Sequence, residues 1–474
     1  MDYPVRWWYC LSMLNDILKT KKSLFADGVQ TVLRGQENRN RRVVFLQGNL
    51  VGNVRSETRG VNARVCKNGV YGFASMAEYS KSAADSVLKA ATQNAMFLDS
   101  HAPKGDEPLP SYGTGIVPMC KEIVDFEQKR IIETCKALDD YIVRKYPDLV
   151  SRTVVYTEDS QDKIIYTSDA FCGHVTNPRC YIYVMLTAAS KADNAPLELF
   201  AAFGGSGSFE SRFSSVEWMY PGIDELHKKL MDKVNGVYAE AGYKTVILGG
   251  TLSGMLAHEA VGHTVEADLV LGGSVAGPNL NKRVASDLVS MIDYANTTPT
   301  GEAPLPVFMD DEGQVAKDAV LIKNGILKGY MHNRDSARKF GVKPTGNARA
   351  WAFSDEPLIR MRNTAVLPGK DKLEDMIASI DDGYYLIDTN NGQADLTGEF
   401  MFGVTMGYEI KKGKLGRAIL DTTVTGIAFD MLKTVDMVSD KVNWNSSGFC
   451  GKKQMIPVGL GGPELRCKIM IGGR

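Results

Sequence analysis

The residues with the clearest capacity for chemistry lie in one short, largely apolar segment, residues 256–268 (LAHEAVGHTVEAD). This segment contains an HExxxH pattern formed by His258, Glu259 and His263. Two imidazoles can bind a transition metal, and a carboxylate beside one of them can act as a general base. In a chain with 6 histidines among 474 residues, chance would produce the pattern on the order of once in 200 such chains. The pattern predicts a metal-dependent hydrolytic site, and two unrelated buried histidines are the alternative.

The spacing of the two histidines requires a distorted helix. In an undistorted α-helix, residues i and i+5 lie about 140° apart around the axis, so the two rings would diverge. A π-turn has about 4.4 residues per turn and brings the same positions to within about 50°. Gly262 directly precedes His263 and tolerates unusual backbone geometry. We therefore predict a π-turn or a helix end at this point.

The third metal ligand is less clear from spacing. A catalytic zinc ion usually has three protein ligands and one open position. Glu266, three residues after His263, would lie on the same helix face, whereas Cys450 lies in a stretch of small residues that lets the backbone approach an ion. Glu266 and Asp268 could instead orient a ligand imidazole. Spacing favours Glu266 and leaves a distant thiolate open.

The segment HEAVGHTVEAD resembles the zinc motif of the TldD/PmbA family of metallopeptidases, in its active TldD type. This resemblance implies that His258, His263 and Cys450 bind zinc, that Glu259 is the general base, and that Glu266 supports a ligand. It extends over nearly all of the second half of the chain. The matching strings are DDEG (310–313), TGN (345–347), RMRNT (360–364), NGQ (391–393) and FCGKKQMIPVGLGGP (449–463).

The resemblance implies a zinc-dependent metallopeptidase. A β-rich catalytic domain can hold an extended peptide as an added strand, so we expect short or unfolded polypeptides as substrates. The resemblance also implies a dimer, formed either with a second copy or with a metal-free PmbA/TldE-like subunit. One alternative is a zinc-dependent hydrolase of small amides or esters, and another is a non-catalytic partner subunit that retains the motif. The presence of Glu259 argues against the latter, because a structural zinc ion does not need a base beside its ligand.

The composition argues against several other classes of function. Lys and Arg number 55 and Asp and Glu number 56, a net charge of −1, so the chain has no summed basic field for nucleic acid or anionic membranes. The longest apolar stretch after the N-terminus, residues 245–257, is shorter than the ~20 residues of a membrane helix. The eight cysteines include no CxxC pair. We expect a cytoplasmic protein with reduced thiols that binds neither nucleic acid nor membrane.

The pattern of strands and helices predicts an α+β protein with two domains. Residues 1–240 are expected to form an N-terminal α/β-type domain with antiparallel strands and helices. Residues 241–474 are expected to form a mostly antiparallel, curved β domain that carries the HExxxH helix. Asn324-Gly325 and Lys412-Gly413 lie between β-prone runs and predict hairpins. Residues 1–12 have no counterpart in the resemblance and read as neither signal peptide nor anchor.

Further residues could contribute to a site. The acidic run 310–312 is expected to be a solvated turn, with a cation site as the alternative. Arg360 and Arg362 would share one face of a strand and could bind a peptide carboxylate. His332 is expected at the surface.

Two more patterns have a competing structural explanation. Cys172 and His174, with Cys180 nearby, superficially resemble a second metal site, but their spacing fits no standard zinc motif. The glycine-rich stretches 271–273 and 459–462 could let a peptide backbone approach closely, or could be turns with positive φ.

Overall fold

The N-terminal half is built on one long, twisted sheet. The computed structural model describes residues 24–110, 127–169, 171–191 and 193–472, together with the backbone of 116–120. The strands of this sheet are β1 (Gln30–Leu46), β2 (Asn49–Lys67), β3 (Val70–Met76), β4 (Ile116–Cys120), β5 (Ser151–Thr167), β6 (Cys172–Ala189) and β7 (Pro196–Ser206). Their order is β3-β2-β1-β5-β6-β4, and β7 also pairs with β6. The pairings are antiparallel except for that between β4 and β6.

Helices cover one face of this sheet. The helix Lys81–His101 begins after Ser80, whose side chain accepts a hydrogen bond from the backbone N–H of Ala83. It buries four alanines, Val87 and Leu88 at helical spacing against β1, β2 and β5. The helices Gln128–Lys145 and Tyr220–Val234 pack in the same way on strands β1, β5, β6 and β7.

The opposite face of the sheet is polar and contacts the C-terminal half. Gln36, Asn38 and Gln161 each donate a side-chain amide hydrogen bond to the carbonyl oxygen of Trp351, at 2.6, 2.8 and 2.8 Å. Gln36 and Asn38 are buried. Because successive side chains of a strand point to opposite faces, this face can be polar while the helical face is apolar.

The C-terminal half contains a barrel-like sheet. Its strands are β8 (Gly242–Leu248), β17 (Asp382–Ala394), β18 (Glu399–Lys411), β19 (Lys414–Ala418), β20 (Thr422–Ile427), β21 (Met437–Val438) and β24 (Leu465–Ile471). The path β17-β8-β24-β20-β18 closes on itself because β17 also pairs with β18. Only the β17–β8 pairing in this sheet is parallel, for the residues that the structure describes.

A second sheet lies beside the barrel and contributes to the site. Its strands are β9 (Met291–Tyr294), β12 (Ala319–Lys323), β13 (Ile326–Leu327), β16 (Asn363–Val366), β22 (Asn443–Cys450) and β23 (Ile456–Gly462). Their order is β13-β12-β9-β16-β23-β22, which makes β22 an edge strand. The segment 250–262 packs against strands of both sheets.

Shorter elements complete the described chain. Two small sheets pair β10 (Thr297–Thr298) with β11 (Gly301–Glu302) and β14 (Ala348–Arg349) with β15 (Leu358–Ile359). The remaining helices are Phe209–Arg212, Glu217–Met219, Gly250–Leu256, Ala257–Gly262, His263–Val265, Ala267–Leu271, Gly277–Asn279, Arg334–Phe340, Leu373–Ala378 and Ala428–Lys433.

The predicted α+β class is confirmed, and so is the curved, mostly antiparallel C-terminal half. Both predicted hairpins are present, with positive φ at Asn324-Gly325 and at Lys412-Gly413, as two-residue type I′ turns require. The domain boundary at residue 240 remains a prediction. Residues 1–12 lie outside the described part of the chain. No helix in the described ranges is long and apolar enough to span a membrane.

Candidate metal centre

The HExxxH segment changes its helical pitch at the first histidine. The α-helix Gly250–Leu256 continues as the π-helix Ala257–Gly262 and then as the 3₁₀ turn His263–Val265. The backbone N–H of His263 donates to the carbonyl oxygen of His258, a hydrogen bond that spans five residues. The predicted π-turn is therefore confirmed. It brings the two imidazole rings to a centroid distance of 5.2 Å.

Gly262 is needed for a different reason from the one predicted. Its φ of −53° and ψ of −50° are ordinary helical values, so the π-turn does not depend on glycine's backbone freedom. A Cβ atom at this position would lie 2.0 Å from Sδ of Met361 and 3.0 Å from the carbonyl oxygen of Ala257. The absence of a side chain lets the buried Met361 pack directly against the turn.

Three candidate ligand atoms converge at this turn. His258, His263 and Cys450 each offer one ligand atom, and these atoms lie within 4.8 Å of one another. Sγ of Cys450 lies 3.4 Å from Nε2 of His263. Two such ligand atoms that bind the same tetrahedral zinc ion lie about 3.3–3.6 Å from each other. Among the described residues, no further His, Cys, Asp or Glu joins this group and no second such group occurs.

The chemistry of the ligand atoms fits a bound metal ion. His258 is only 1% exposed, and neither of its ring nitrogens has a hydrogen-bond partner in the described structure. A buried polar atom without a partner is costly unless a ligand or ion satisfies it. Burial opposes ionisation of the Cys450 thiol, but the neighbouring His258 and His263 imidazoles lower its pKa to about 3. Cys450 is therefore available as a thiolate.

Glu266 supports one ligand and is absent from the ligand group. Its Oε2 atom lies 3.1 Å from Nδ1 of His263, so it accepts the imidazole N–H and leaves Nε2 directed toward Cys450. Nζ of Lys452 lies 2.9 Å from Oε2 of Glu266 and 2.7 Å from Oδ2 of Asp268. The buried Glu266 carboxylate is thus paired with a cation. Asp268 shares this cation but does not occupy Nδ1 of His263, which faces Glu266.

Glu259 lies at the accessible side of the group. Its Oε2 atom is 3.6 Å from Nε2 of His263, and the side chains of Glu259 and His263 are 20% and 18% exposed. Cys450 is 2% exposed. A substrate can therefore reach the centre from the side of Glu259, while the opposite side is closed by protein.

Cys450 is the last residue of the edge strand β22, and Arg360 fixes the turn that follows it. The Arg360 guanidinium donates hydrogen bonds to the carbonyl oxygens of Cys450, Lys452 and Gln454 at 2.6, 2.9 and 2.8 Å. Arg360 is fully buried, so the prediction that it is free to bind a peptide carboxylate is wrong.

The same prediction is wrong for Arg362. Its guanidinium is fully buried and its Nε atom lies 2.8 Å from Oδ2 of Asp293. The arginine also donates to the carbonyl oxygens of Asp293, Thr345 and Lys317. Both arginines therefore organise loops of their own chain.

The acidic run 310–312 is buried, and the prediction of a solvated turn is wrong. Asp311 forms ion pairs with Arg34 and Lys163 at 2.9 Å each, and Glu312 pairs with Arg64. These cations lie on the N-terminal sheet. Their positive charges pair with the carboxylates of Asp311 and Glu312, which would otherwise be costly to bury. One sequence feature could have predicted this burial. Polar residues alternate along β1, which indicates a polar sheet face that contacts another part of the protein.

The remaining candidate residues have structural roles. His332 is buried, with Nδ1 3.0 Å from Oγ of Ser336, so the surface prediction is wrong. His174 contacts Asp162 at 2.7 Å, and Cys172 and Cys180 do not form a metal group with it.

The glycine-rich stretch near the C-terminus contacts its own chain. Side chains at Gly459, Gly461 and Gly462 would collide with Asn363, Trp444 and Ser253, respectively. These glycines have no positive φ. The sequence suggested either close approach of a peptide backbone or turns with positive φ. Neither explanation fits these glycines, because close packing against their own chain accounts for the missing side chains. Gly273, by contrast, has a φ of +97° and is a turn glycine.

Three family models match consecutive parts of the chain. They are described as PmbA/TldA metallopeptidase domain 1 (residues 32–95), the central domain (residues 121–248) and the C-terminal domain (residues 241–473). Together they include both motif histidines, Glu259 and Cys450.

Curated relatives show the same similarity. A metalloprotease TldD homolog of Buchnera aphidicola is 41% identical over 240 residues, 50% of this chain and 49% of the relative, so the chain spans about half the length of this relative. A zinc metalloprotease TldD homolog of Saccharolobus solfataricus is 34% identical over 53% of this chain and 56% of the relative. A metalloprotease of Methanocaldococcus jannaschii is 34% identical over 72% of this chain and 73% of the relative.

The fold comparison covers nearly the whole chain. The crystal structure of TldE from Thermococcus kodakarensis superposes with a TM-score of 0.75 at 15% identity, over 97% of this chain and 100% of that one. This likeness concerns the fold alone. From the family models and the relatives together, the chain belongs to the PmbA/TldD metallopeptidase family.

Proposed function

We propose that this chain is a zinc-dependent peptidase that hydrolyses peptide bonds in short or unfolded polypeptides. The observation that supports this most strongly is the convergence of His258, His263 and Cys450 with Glu259 at their accessible side. A closed set of four protein ligands would indicate a structural ion, whereas three ligands with an accessible side are typical of a catalytic one.

The donor set favours zinc as the metal. Two imidazole nitrogens and one thiolate are ligands that suit zinc, and hard cations such as magnesium or calcium prefer oxygen. The name of the Saccharolobus relative includes zinc, which supports the same choice here. When bound, a zinc ion would act as a Lewis acid toward the scissile carbonyl and the attacking water.

The chain's own residues have separate tasks in this proposal. His258, His263 and Cys450 hold the ion, and Glu266 fixes the tautomer and orientation of His263 through its hydrogen bond to Nδ1. Glu259 accepts the proton of the attacking water and returns it to the leaving amine. The partial exposure of Glu259 supports this role, because a base must be reachable by both water and substrate.

The substrate proposal depends on access to the site. His258 and Cys450 are buried, so a scissile carbonyl has to approach along the face of Glu259 and His263. A backbone carbonyl in a folded protein is usually hydrogen-bonded within a helix or sheet. An extended or unfolded segment can present a free carbonyl, and main-chain hydrogen bonds can then hold it without selecting much sequence.

We also propose a dimer, formed with a second copy or with a PmbA/TldE-like subunit. The resemblance of residues 258–268 to the TldD/PmbA zinc motif supports this proposal, because it implies a paired subunit. A cytoplasmic location is proposed because the six cysteines in the described ranges are free, and Cys450 must stay reduced to bind a metal.

The metal assignment is tested by zinc content. The parent protein should bind about one zinc per chain, and both His258→Ala and Cys450→Ser should lose it after dialysis against a weak chelator. Cys180→Ser is the matched control, because Cys180 is also a buried thiol but lies outside the ligand group. Full zinc content in Cys450→Ser would remove the thiolate from the ligand set.

The catalytic assignment separates binding from chemistry. Glu259→Ala should retain its zinc, because its ligands are intact, and lose about 10²–10⁴-fold in peptide hydrolysis. Parental activity in this variant would refute the role of Glu259 as general base. Rapid hydrolysis of small esters without any peptide cleavage would favour the small-amide or ester hydrolase.

A further inference from the structure

The strand that carries Cys450 is irregular just before the cysteine. β22 pairs with β23, but the register shifts between Asn445 and Gly448. Ser446 and Ser447 therefore form a bulge in which the regular ladder is interrupted. Their carbonyl oxygens need partners from elsewhere.

Two tyrosines of the N-terminal sheet bind these carbonyl oxygens. The hydroxyl group of Tyr181 donates to the carbonyl oxygen of Ser446 at 2.7 Å and lies 2.8 Å from its Oγ. The hydroxyl group of Tyr183 donates to the carbonyl oxygen of Ser447 at 2.9 Å. Both tyrosines are in β6, two residues apart, so they lie on the same face of the sheet.

A third residue of β6 contacts both ends of the same segment. Nη1 of Arg179 lies 3.2 Å from the carbonyl oxygen of Ser446, and its guanidinium lies 4.6 Å from the ring centroid of Phe449. Arg179 is buried and held by Asp159, with Nε 2.6 Å from Oδ1. A guanidinium at this distance from an aromatic ring forms a favourable cation–π contact. Phe449 directly precedes Cys450.

All three proposed ligands are supported from within the C-terminal half, Cys450 by the hydrogen bond from Arg360 to its carbonyl oxygen. His263 is held by Glu266, and the π-turn that carries both histidines packs against Met361. Cys450 differs because three of the four residues before it are contacted by β6, a strand of the N-terminal sheet.

We propose that Arg179, Tyr181 and Tyr183 are positioning residues for Cys450, so that the N-terminal sheet forms part of the metal centre. This inference rests on the proposed function, in which Cys450 is a zinc ligand. The three residues act through the bulge at Ser446 and Ser447. Contacts behind a ligand orient it toward the metal, so we expect that loosening the bulge weakens the bond between metal and sulfur.

The test uses the full-length protein and removes only hydroxyl groups. The double variant Tyr181→Phe with Tyr183→Phe retains both rings and loses the hydrogen bonds to the bulge. The matched control is Tyr141→Phe with Tyr146→Phe, because both of those hydroxyl groups bind Asp224, each at 2.6 Å, in the N-terminal half. Zinc affinity is measured by competition with a chelator, and the protein is also loaded with cobalt for absorption spectroscopy.

The expected result is specific to the bond between the metal and the sulfur atom of Cys450. Loss of a supporting contact typically lowers metal affinity about 10–100-fold, so the Tyr181/Tyr183 variant should bind zinc at least about tenfold more weakly. Its cobalt form should show a weaker thiolate-to-metal charge-transfer band. The control should match the parent in both measurements. A general loss of stability would not by itself change the charge-transfer band of the folded, metal-loaded fraction.

The outcomes separate this inference from the proposed function. If the parent binds zinc and the Tyr181/Tyr183 variant matches it in affinity and cobalt spectrum, the positioning role is wrong and the zinc site stands. If the parent shows no thiolate band with cobalt, the proposed ligand set is wrong and this inference fails with it. Should the double variant not fold, Tyr183→Phe alone removes the hydrogen bond to Ser447 and is judged by the same two measurements.

Discussion

The Sγ atom of Cys450 lies 3.4 Å from Nε2 of His263, although 187 positions separate the two residues in the sequence. The same two segments meet a second time where Lys452 binds Glu266, which in turn holds His263. The π-turn and the strand end are thus joined by two contacts, one at the ligand atoms and one behind them. Changes behind the ligands should therefore alter metal binding without removing any ligand.

The close packing of Gly262 against Met361 gives the first prediction. In Gly262→Ala, the new Cβ would lie 2.0 Å from Sδ of Met361 and 3.0 Å from the carbonyl oxygen of Ala257, so the fully buried Met361 side chain has to shift. Overpacking of this kind costs about 1–3 kcal/mol, and here it should also displace a histidine. We expect weaker zinc binding by chelator competition and a lower urea midpoint.

A double-mutant cycle checks the cause of that effect. Gly262→Ala should cost less in a Met361→Ala background than in the parent, because the colliding sulfur atom is absent. An equal cost in both backgrounds would show that Met361 is not the obstacle.

The contact between Glu266 and His263 gives the second prediction. Glu266→Ala removes the acceptor for Nδ1 of His263, and we expect zinc affinity to fall about 10–100-fold. Asp268→Ala is the control, because Asp268 shares Lys452 with Glu266, whereas Nδ1 of His263 is bound by Glu266. Equal losses in the two variants would assign the effect to Lys452 rather than to orientation of the imidazole.

The sequence predicted the helix distortion because that feature is local. His258 and His263 are five positions apart, a spacing that would point their rings in different directions on a regular α-helix, so two rings that share one ion require the distortion. The reason for Gly262 could not be found in this way, because its packing partner, Met361, is 99 positions away. Spacing alone likewise favoured Glu266. The small residues around Cys450 left a thiolate open, and the family resemblance favoured the cysteine.

The burial of the acidic run 310–312 could not be predicted for a related reason. Asp311 is neutralised by Arg34 and Lys163, which lie on strands of the other half of the chain. Whether a charge is solvated or buried depends on partners that a local window does not contain. Arg360 was misjudged for the same reason, since its acceptors are the carbonyl oxygens of residues 450, 452 and 454.

The Asp311 cluster gives the third prediction. Asp311→Asn leaves Arg34 and Lys163 buried without their carboxylate, and breaking a buried ion pair typically costs about 3–5 kcal/mol. We expect a clearly lower urea midpoint. Asp140→Asn is the control, because the Lys136–Asp140 pair is exposed and such pairs contribute about 0–1 kcal/mol.

The same variant has a defined pH dependence. Burial opposes ionisation of Asp311, but Lys163 and Arg34 lower its pKa below the ordinary value. A lowered pKa in the folded state means that the ionised carboxylate stabilises the fold above the unfolded pKa of about 3.9. This contribution is lost as the pH falls through the folded pKa. The stability difference between parent and Asp311→Asn should therefore shrink below about pH 4, and a constant difference between pH 6 and pH 3 would contradict the assignment.

The accessibility of the metal centre gives the last prediction. His258 and Cys450 are buried, whereas the side chains of Glu259 and His263 are partly exposed. In the proposed function, the scissile carbonyl approaches along Glu259 from a backbone that is free of secondary structure. We expect one disulfide-bonded protein to be cleaved at least about tenfold faster after reduction and alkylation than in its native form, at equal enzyme concentration. Fragments are quantified by mass spectrometry, and Glu259→Ala serves as the blank for contaminating proteases.

Unfolding makes the substrate chain more flexible and also exposes more cleavage sites. The comparison of native and alkylated substrate has to separate these two effects. A short peptide copied from a surface loop of the same native protein serves this purpose, because its sequence is accessible in both contexts and only its freedom to extend differs. If the peptide is cleaved and the native loop is not, the requirement is for an extended backbone, as the one-sided access predicts. If native and alkylated protein are cleaved at the same rate, the centre accepts folded chains and the substrate proposal is wrong.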